Sequence, residues 1–518
     1  MTDVLYDPLV DVDAVSFEYP FSSNNKAAGG IHGVNLRVHR GDRVLVVGHN
    51  GSGKSTLLAV VAGRRKASKG RATVLGTDAF DNTRLQQHVA LIGNPWPPEA
   101  FFASTVASIA SPAPLLERRQ RIADALHLPL QRSVSNMSSG EKRRVQILHG
   151  MLQQSLVYLL DECSTDIDVA ERKTVLELIK SECSVNRGCC LYATHIFDGV
   201  SNWATHVLLM QNGCVVDFKK MNDIEEPLEV FAHKFLARQR GGSFSRAILD
   251  APVTKEVETN TNINYKGEGE RTLATEEEAV IVCRQLQYKD IFRDLTFTIY
   301  KGERVLLCGC NGAGKSTLLN MMGGKQFFNN RSKALRILGK ACYEDMTLNS
   351  LVAFGGDWWT VAPPGEVHVR EMLQLRTPRS QQLCDLLDVD LDWDVRHISL
   401  GHQKRVQLLL HLLEDKPIVL LDEATSDLDL DQRHALLSFL YNESVSRGVT
   451  VVYATHIFGG LGNWPSAVMI LDRTKRGLHA MWRSGDSNAN GGGSMDWRRV
   501  TDELIALKKR ENTDLTSA

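Results

Sequence analysis

Lys54 and Ser55 sit near the end of a glycine-rich stretch, Gly48-His49-Asn50-Gly51-Ser52-Gly53-Lys54-Ser55-Thr56, whose residue types and spacing suit the binding of nucleotide phosphates. Glycines let such a loop fold back until its backbone N–H groups converge on phosphate oxygens, with a helix N-terminus behind them. Lys54 is expected to reach the β- and γ-phosphates and the Ser55 hydroxyl to ligate Mg²⁺, with Gly48, Asn50, Gly51, Gly53 and Thr56 completing the loop. The stretch returns as Gly309-Cys310-Asn311-Gly312-Ala313-Gly314-Lys315-Ser316-Thr317, so that Lys315 lies 261 positions (315 − 54) after Lys54.

Three further groups keep the same offset. Ser138 and Gly140, in Met137-Ser138-Ser139-Gly140-Glu141, recur as Ser399 and Gly401; a small hydroxyl- and glycine-bearing loop before an apolar helix is a second phosphate-binding device. Asp161 and Glu162 recur as Asp422 and Glu423. The first carboxylate of each pair suits support of Mg²⁺, the second the polarising or deprotonating of an attacking water. His195 recurs as His456, each at the end of an apolar run, where it could hydrogen-bond a γ-phosphate and hold the water. Tyr19, upstream of the first loop, is the aromatic expected to stack on adenine, and Tyr288 takes its place in the second half. Stacking leaves no spacing rule, so an ordinary packing aromatic reads nearly as well.

These groups need strands that end together. Val44–Val47, Leu156–Leu160 and Cys189–Ala193 are apolar runs of strand length, each followed by one of the chemical groups, and ligands of α/β sheets bind at such strand ends. The helix-rich stretch from Asn94 to Val134 reads as a subdomain inserted into that core, and the basic run Arg64–Arg71 as a solvated helix end and turn. Residues 21–30 form a loop that the second half lacks. The expected architecture is α/β, with two tandem P-loop nucleotide-binding domains, each an α/β core carrying a β-subdomain and a helical subdomain. The first spans 1–240, a Gly-, Thr-, Asn- and Glu-rich linker 241–278, the second 279–486, and 487–518 is a flexible spacer with a C-terminal amphipathic helix running to about Arg510.

With 518 residues the chain is too long for one core. A formal net charge of −1 provides no global field for nucleic acid or anionic lipid, and no direct DNA binding is expected. The acidic start (Met1–Pro8) is not a secretory leader, and no apolar run reaches the ~18–20 residues of a spanning helix. The ten cysteines, scattered and without metal-ligand spacing, read as reduced thiols of a cytoplasmic protein, with the nucleus as an alternative.

As a set, the motifs resemble those of the ATP-binding-cassette (ABC) family: a Walker A loop, a signature loop, a Walker B strand with its glutamate, a D-loop ending in Asp168 or Asp429, and a switch histidine. Gly140–Gln146, Tyr192–Gly199, Tyr453–Phe458 and Leu386–Trp393 are similar to one subgroup, small soluble ABC ATPases associated in fungi with the carbon-catabolite-repressor/NOT deadenylase complex, with relatives in plants. The resemblance implies ATP and Mg²⁺ as cofactors, ATP hydrolysis as the activity, and an intramolecular dimer. In it Ser399 and Gly401 complete the site of Lys54, and Ser138 and Gly140 that of Lys315. The partner implied is an unidentified protein or ribonucleoprotein assembly. The glutamine that in transporters follows the strand ending at Ile92 is replaced by Asn94, and in the second half by Asp357; either could take over part of its metal contact. Bulky Leu400 and His402 in the second signature are expected to loosen closure over the first site, leaving the second site the faster. A ribosome-associated recycling factor and the ATPase component of a multi-chain transporter are the alternative functions.

Overall fold

A computed structural model describes residues 7–19, 30–93, 96, 104–110, 115–239, 279–329, 333–356, 365–373, 377–398, 400–484 and 496–517. The expectations placed on the 21–29 loop, the 241–278 linker, the spacer before residue 496, Asn94, Asp357 and Ser399 lie outside the described residues. The chain divides into two compact units, Met1–Gln239 with Leu504–Ala518, and Arg240–Glu503.

In the first unit, β1 (Val10–Phe17), β2 (Ile31–Val38), β4 (Lys69–Val74) and β5 (Thr77–Asp78) form an antiparallel sheet in the order β2-β1-β4-β5. A second sheet of six strands runs β10-β9-β3-β8-β7-β6. Here β3 is Arg43–Val47, β6 Val89–Ile92, β7 Val157–Asp161, β8 Cys189–Ala193, β9 His206–Gln211 and β10 Cys214–Lys220. Its neighbours are parallel except β9 and β10. The central strands read as unbroken apolar runs because both of their faces are covered, as parallel sheets require. Val44, Val46, Leu57, Leu58, Leu159 and Leu191 belong to one buried core shared with the antiparallel sheet.

The second unit repeats this arrangement. β11 (Ala279–Tyr288), β12 (Phe292–Tyr300), β14 (Leu335–Ile337) and β15 (Lys340–Ala341) form the antiparallel sheet. β13 (Arg304–Gly309), β16 (Val352–Gly355), β17 (Ile418–Asp422), β18 (Thr450–Ala454), β19 (Ala467–Asp472) and β20 (Gly477–Arg483) form the other, ordered β16-β17-β18-β13-β19-β20. Register makes the chemical ends level. Val46 and Asp161 both pair with Ala193 in the first sheet, and Leu307 and Asp422 both pair with Ala454 in the second.

Two differences from the sequence expectation concern element ends. The basic run does not stay a turn, since Lys69 and Arg71 enter β4 with their side chains exposed. The C-terminal helix spans Trp497–Ser517, because Glu511-Asn512-Thr513-Asp514 contains no glycine or proline to stop it. No described helix is long and apolar enough to cross a membrane.

Candidate functional site: a phosphate loop, two carboxylates and a histidine in each unit

The helix Lys54–Val61 starts at Gly53, whose φ of +98° a side chain would strain. A Cβ there would also meet Ile31 Cγ2 at 2.8 Å, and one at Gly48 would meet Ser52 Oγ at 2.4 Å and the Met210 carbonyl at 2.5 Å, so the loop closes only with glycine. Lys54 is buried, and its Nζ donates to the carbonyls of Gly48 (2.6 Å) and His49 (2.9 Å), which parks the ammonium at the loop. Lys315 Nζ repeats this on Gly309 (2.8 Å) and Cys310 (3.3 Å), with Gly314 at φ +95°.

Asp161 ends β7, and its burial raises the carboxyl above the usual aspartate range, while Ser55, Lys54 and Arg143 pull it down. Asp161 Oδ1 is buried with no hydrogen-bond partner among the described residues. A buried carboxylate oxygen beside the Ser55 hydroxyl is what a hard cation bound through oxygen ligands asks for, so these residues fit Mg²⁺. Asp422 is raised by burial in the same way and lowered by Ser316, Lys315 and Lys404.

The next residue of each strand leaves ordinary backbone space. Glu162 and Glu423 both have φ of +48°, a left-handed conformation that costs a non-glycine residue of order 1–3 kcal/mol and persists only where its surroundings hold it. The Glu162 N–H donates to the Ala193 carbonyl at 2.9 Å and that of Glu423 to Ala454 at 3.0 Å. This turn aims each carboxylate at the histidine beyond the neighbouring strand. His195 Nε2 is 3.2 Å from Glu162 Oε1 and 3.1 Å from Asn50 Oδ1, and His456 Nε2 is 3.4 Å from Glu423 Oε1. Burial pushes the Glu423 carboxyl up to about 7, with Lys315 and Lys404 lowering it and Asp422 raising it. Since 31% of that side chain reaches solvent, screening by water tempers the rise.

The phosphate loop, carboxylates and histidine are therefore brought together in each unit. Tyr19 is half-buried, its hydroxyl 3.2 Å from Thr56 Oγ1 and its ring 5.1 Å from the Arg65 guanidinium; Tyr288 lies 5.1 Å from Lys289 Nζ. Ser138 caps the helix Ser139–Met151 in a reciprocal capping box with Glu141, and Gly140 is buried in its first turn. Gly401 lies in the first turn of the helix Leu400–Leu412.

Sequence reading missed two arginines. Arg143 is buried behind Glu162 and donates to three carbonyls, and the fully buried Arg172 joins the Ile167 carbonyl (3.0 Å) to Asp198 Oδ2 (3.3 Å). The repetition of Arg172 as Arg433 at the common offset is the one signal that could have singled it out.

The profile of a family described as ABC transporter matches residues 31–165 and 292–351. ABC transporter I family member 20 of Arabidopsis thaliana is 35% identical over 202 residues, covering 36% of this chain and 61% of the relative, so the chain spans less than two thirds of that protein. CCR4-associated factor 16 of Saccharomyces cerevisiae is 31% identical over 228 residues, 40% of this chain and 77% of its own. Among solved structures, an archaeal ribosome recycling factor, crystallised with the ribosomal stalk protein, shares the fold with a TM-score of 0.61 at 21% identity, over 88% of this chain and 87% of that one.

Proposed function

The chain belongs to the ABC transporter family, whose cassettes bind and hydrolyse ATP, and on that premise we propose that both of its units turn over Mg-ATP and that the resulting opening and closing regulates a protein or ribonucleoprotein assembly. The observation that carries the reading is the doubled pairing of a glutamate with a histidine, 3.2 Å apart in one unit and 3.4 Å in the other, beside a half-buried aspartate and a parked lysine.

Lys54 and Lys315 hold the β- and γ-phosphates against the loop amides. Ser55 with Asp161, and Ser316 with Asp422, would hold Mg²⁺, which when bound neutralises phosphate charge. Glu162 and Glu423 orient the attacking water and accept its proton at a carboxylate oxygen, while His195 and His456 fix that carboxylate and the phosphate end of the water's path. Tyr19 and Tyr288 take the adenine. The likeness to CCR4-associated factor 16 supports the NOT deadenylase complex as the assembly concerned.

Purified chain is expected to hydrolyse ATP only with Mg²⁺, and Glu162→Gln/Glu423→Gln to bind ATP without turnover. Affinity purification of that double variant with ATP should retain deadenylase subunits. Co-sedimentation with ribosomes instead would point to a recycling role, flotation with membranes to a transporter, and absence of Mg-ATPase in the wild-type chain would refute the reading.

A further inference from the structure

The left-handed turn at Glu162 is gripped from behind by one side chain, and the second unit does this differently. Arg143 lies on the helix Ser139–Met151 and is 3% exposed. Its Nη2 donates to the Glu162 carbonyl at 2.7 Å, its Nε to the Cys163 carbonyl at 3.0 Å, and its Nη1 to the Gly93 carbonyl and to Gln146 Oε1 (2.6 Å). With the Glu162 N–H already bound to Ala193, the strained peptide is held on both sides, and the same guanidinium fixes the residue that follows β6. The planar fork satisfies these acceptors because its donors diverge in one plane.

At the common offset the second unit has Lys404, whose Nζ donates to Ser426 Oγ (2.5 Å) and Asp427 Oδ2 (2.7 Å), while Ser426 Oγ donates to the Glu423 carbonyl at 3.1 Å. There the cation acts on the glutamate turn through a hydroxyl. In the first unit Thr165 Oγ1 also reaches the Glu162 carbonyl, at 3.3 Å.

We propose that Arg143 is a positioning residue for hydrolysis in the first unit, holding the Glu162 turn in the conformation that presents its carboxylate to water. Its partners are protein groups, and through the Glu162 carbonyl it sets where the carboxylate of Glu162 points. The inference rests on Glu162 being the water-activating group. It adds that the two units set that group by different means, a direct guanidinium grip in one and a lysine–serine relay in the other. A displaced base loses rate, whereas ATP held by Lys54 and the loop amides is untouched, so the effect belongs in kcat and not in KM.

The experiment measures steady-state ATPase in the wild-type chain and in Glu423→Gln, where the remaining turnover is that of the first unit. Arg143→Met keeps the buried aliphatic stem and removes the donors. It is expected to lower kcat in the Glu423→Gln chain by about 10–100-fold, the scale of a misplaced catalytic group, with KM for ATP within about three-fold. Arg143→Lys can use Thr165 and Asp166 as Lys404 uses Ser426 and Asp427, and is expected to restore kcat to within about five-fold. If Arg143→Met melts below the assay temperature, Arg143→Gln replaces it. A change of less than about two-fold in kcat, or a rise in KM at constant kcat, would overturn the role of Arg143 and leave the ATPase reading intact. Absence of Mg-ATPase from the wild-type chain would instead remove the reading on which it rests.

Discussion

Replacing Lys508 with methionine tests whether the end of the C-terminal helix is held by charge. Lys508 is 11% exposed and its Nζ lies 3.0 Å from Glu171 Oε1, 3.4 Å from Glu511 Oε2 and 3.9 Å from Asp168 Oδ2, carboxylates that are themselves 2–6% exposed. Arg144 supplies the second cation, 3.0 Å from Glu171. Lys508 and Arg144 thus both face this buried acidic cluster, and Lys508→Met keeps the stem while removing one of these two cations. Breaking a buried ion pair from one side costs roughly 3–5 kcal/mol, because the abandoned charge stays desolvated. Acid should relieve the loss. Burial, and next the charge of Asp168, hold the Glu171 carboxyl above its usual range, while Arg144 and Lys508 pull it down. A raised folded-state carboxyl gains stability as pH falls through its folded pKa. Removing Lys508 lifts that value further, so the neutral form takes over at higher pH and the penalty shrinks on acidification. The assay is urea denaturation read by hydrogen exchange in the helix Val169–Val185, which isolates the first unit from a chain that need not unfold in one step. Expected is a loss of about 3–5 kcal/mol near pH ~7.5 and clearly less near pH ~5.5. A loss under about 1 kcal/mol, or one equal at both pH values, would refute the reasoning.

Glu162→Gln and Glu423→Gln should leave unequal residual ATPase, with the chain retaining only Glu423 the faster; equal rates would remove the asymmetry assigned to Leu400 and His402. Gly53→Ala should abolish binding of a fluorescent ATP analogue in the first unit, because the φ of +98° and the contact with Ile31 Cγ2 both oppose a Cβ, and unchanged affinity there would contradict the loop's closeness. Arg172→Leu should lower the melting temperature of the first unit by several degrees, since the Ile167 carbonyl and Asp198 lose a buried partner at roughly 1–3 kcal/mol each; an unshifted melt would show that solvent satisfies them.

The amino-acid sequence of this protein dictates whatever local spacing enforces. A phosphate loop needs its glycines, lysine and hydroxyl residue adjacent in the chain, and a parallel strand covered on both faces needs an unbroken apolar run before its chemical end. Both requirements are met twice at one offset, so the paired units, their strands and the groups at the strand ends are all legible in the residues themselves. Interactions between residues distant in the chain leave no such spacing. Nothing in Lys142-Arg143-Arg144 distinguishes the arginine that grips the Glu162 carbonyl from the one that pairs with Glu171, because the two diverge only once the helix has packed. Nor do the residues near Lys508 say that its ammonium ends among Asp168 and Glu171 of the first unit, more than three hundred positions away. A buried charge takes its partner from whatever the tertiary fold brings within reach, and that is decided by packing.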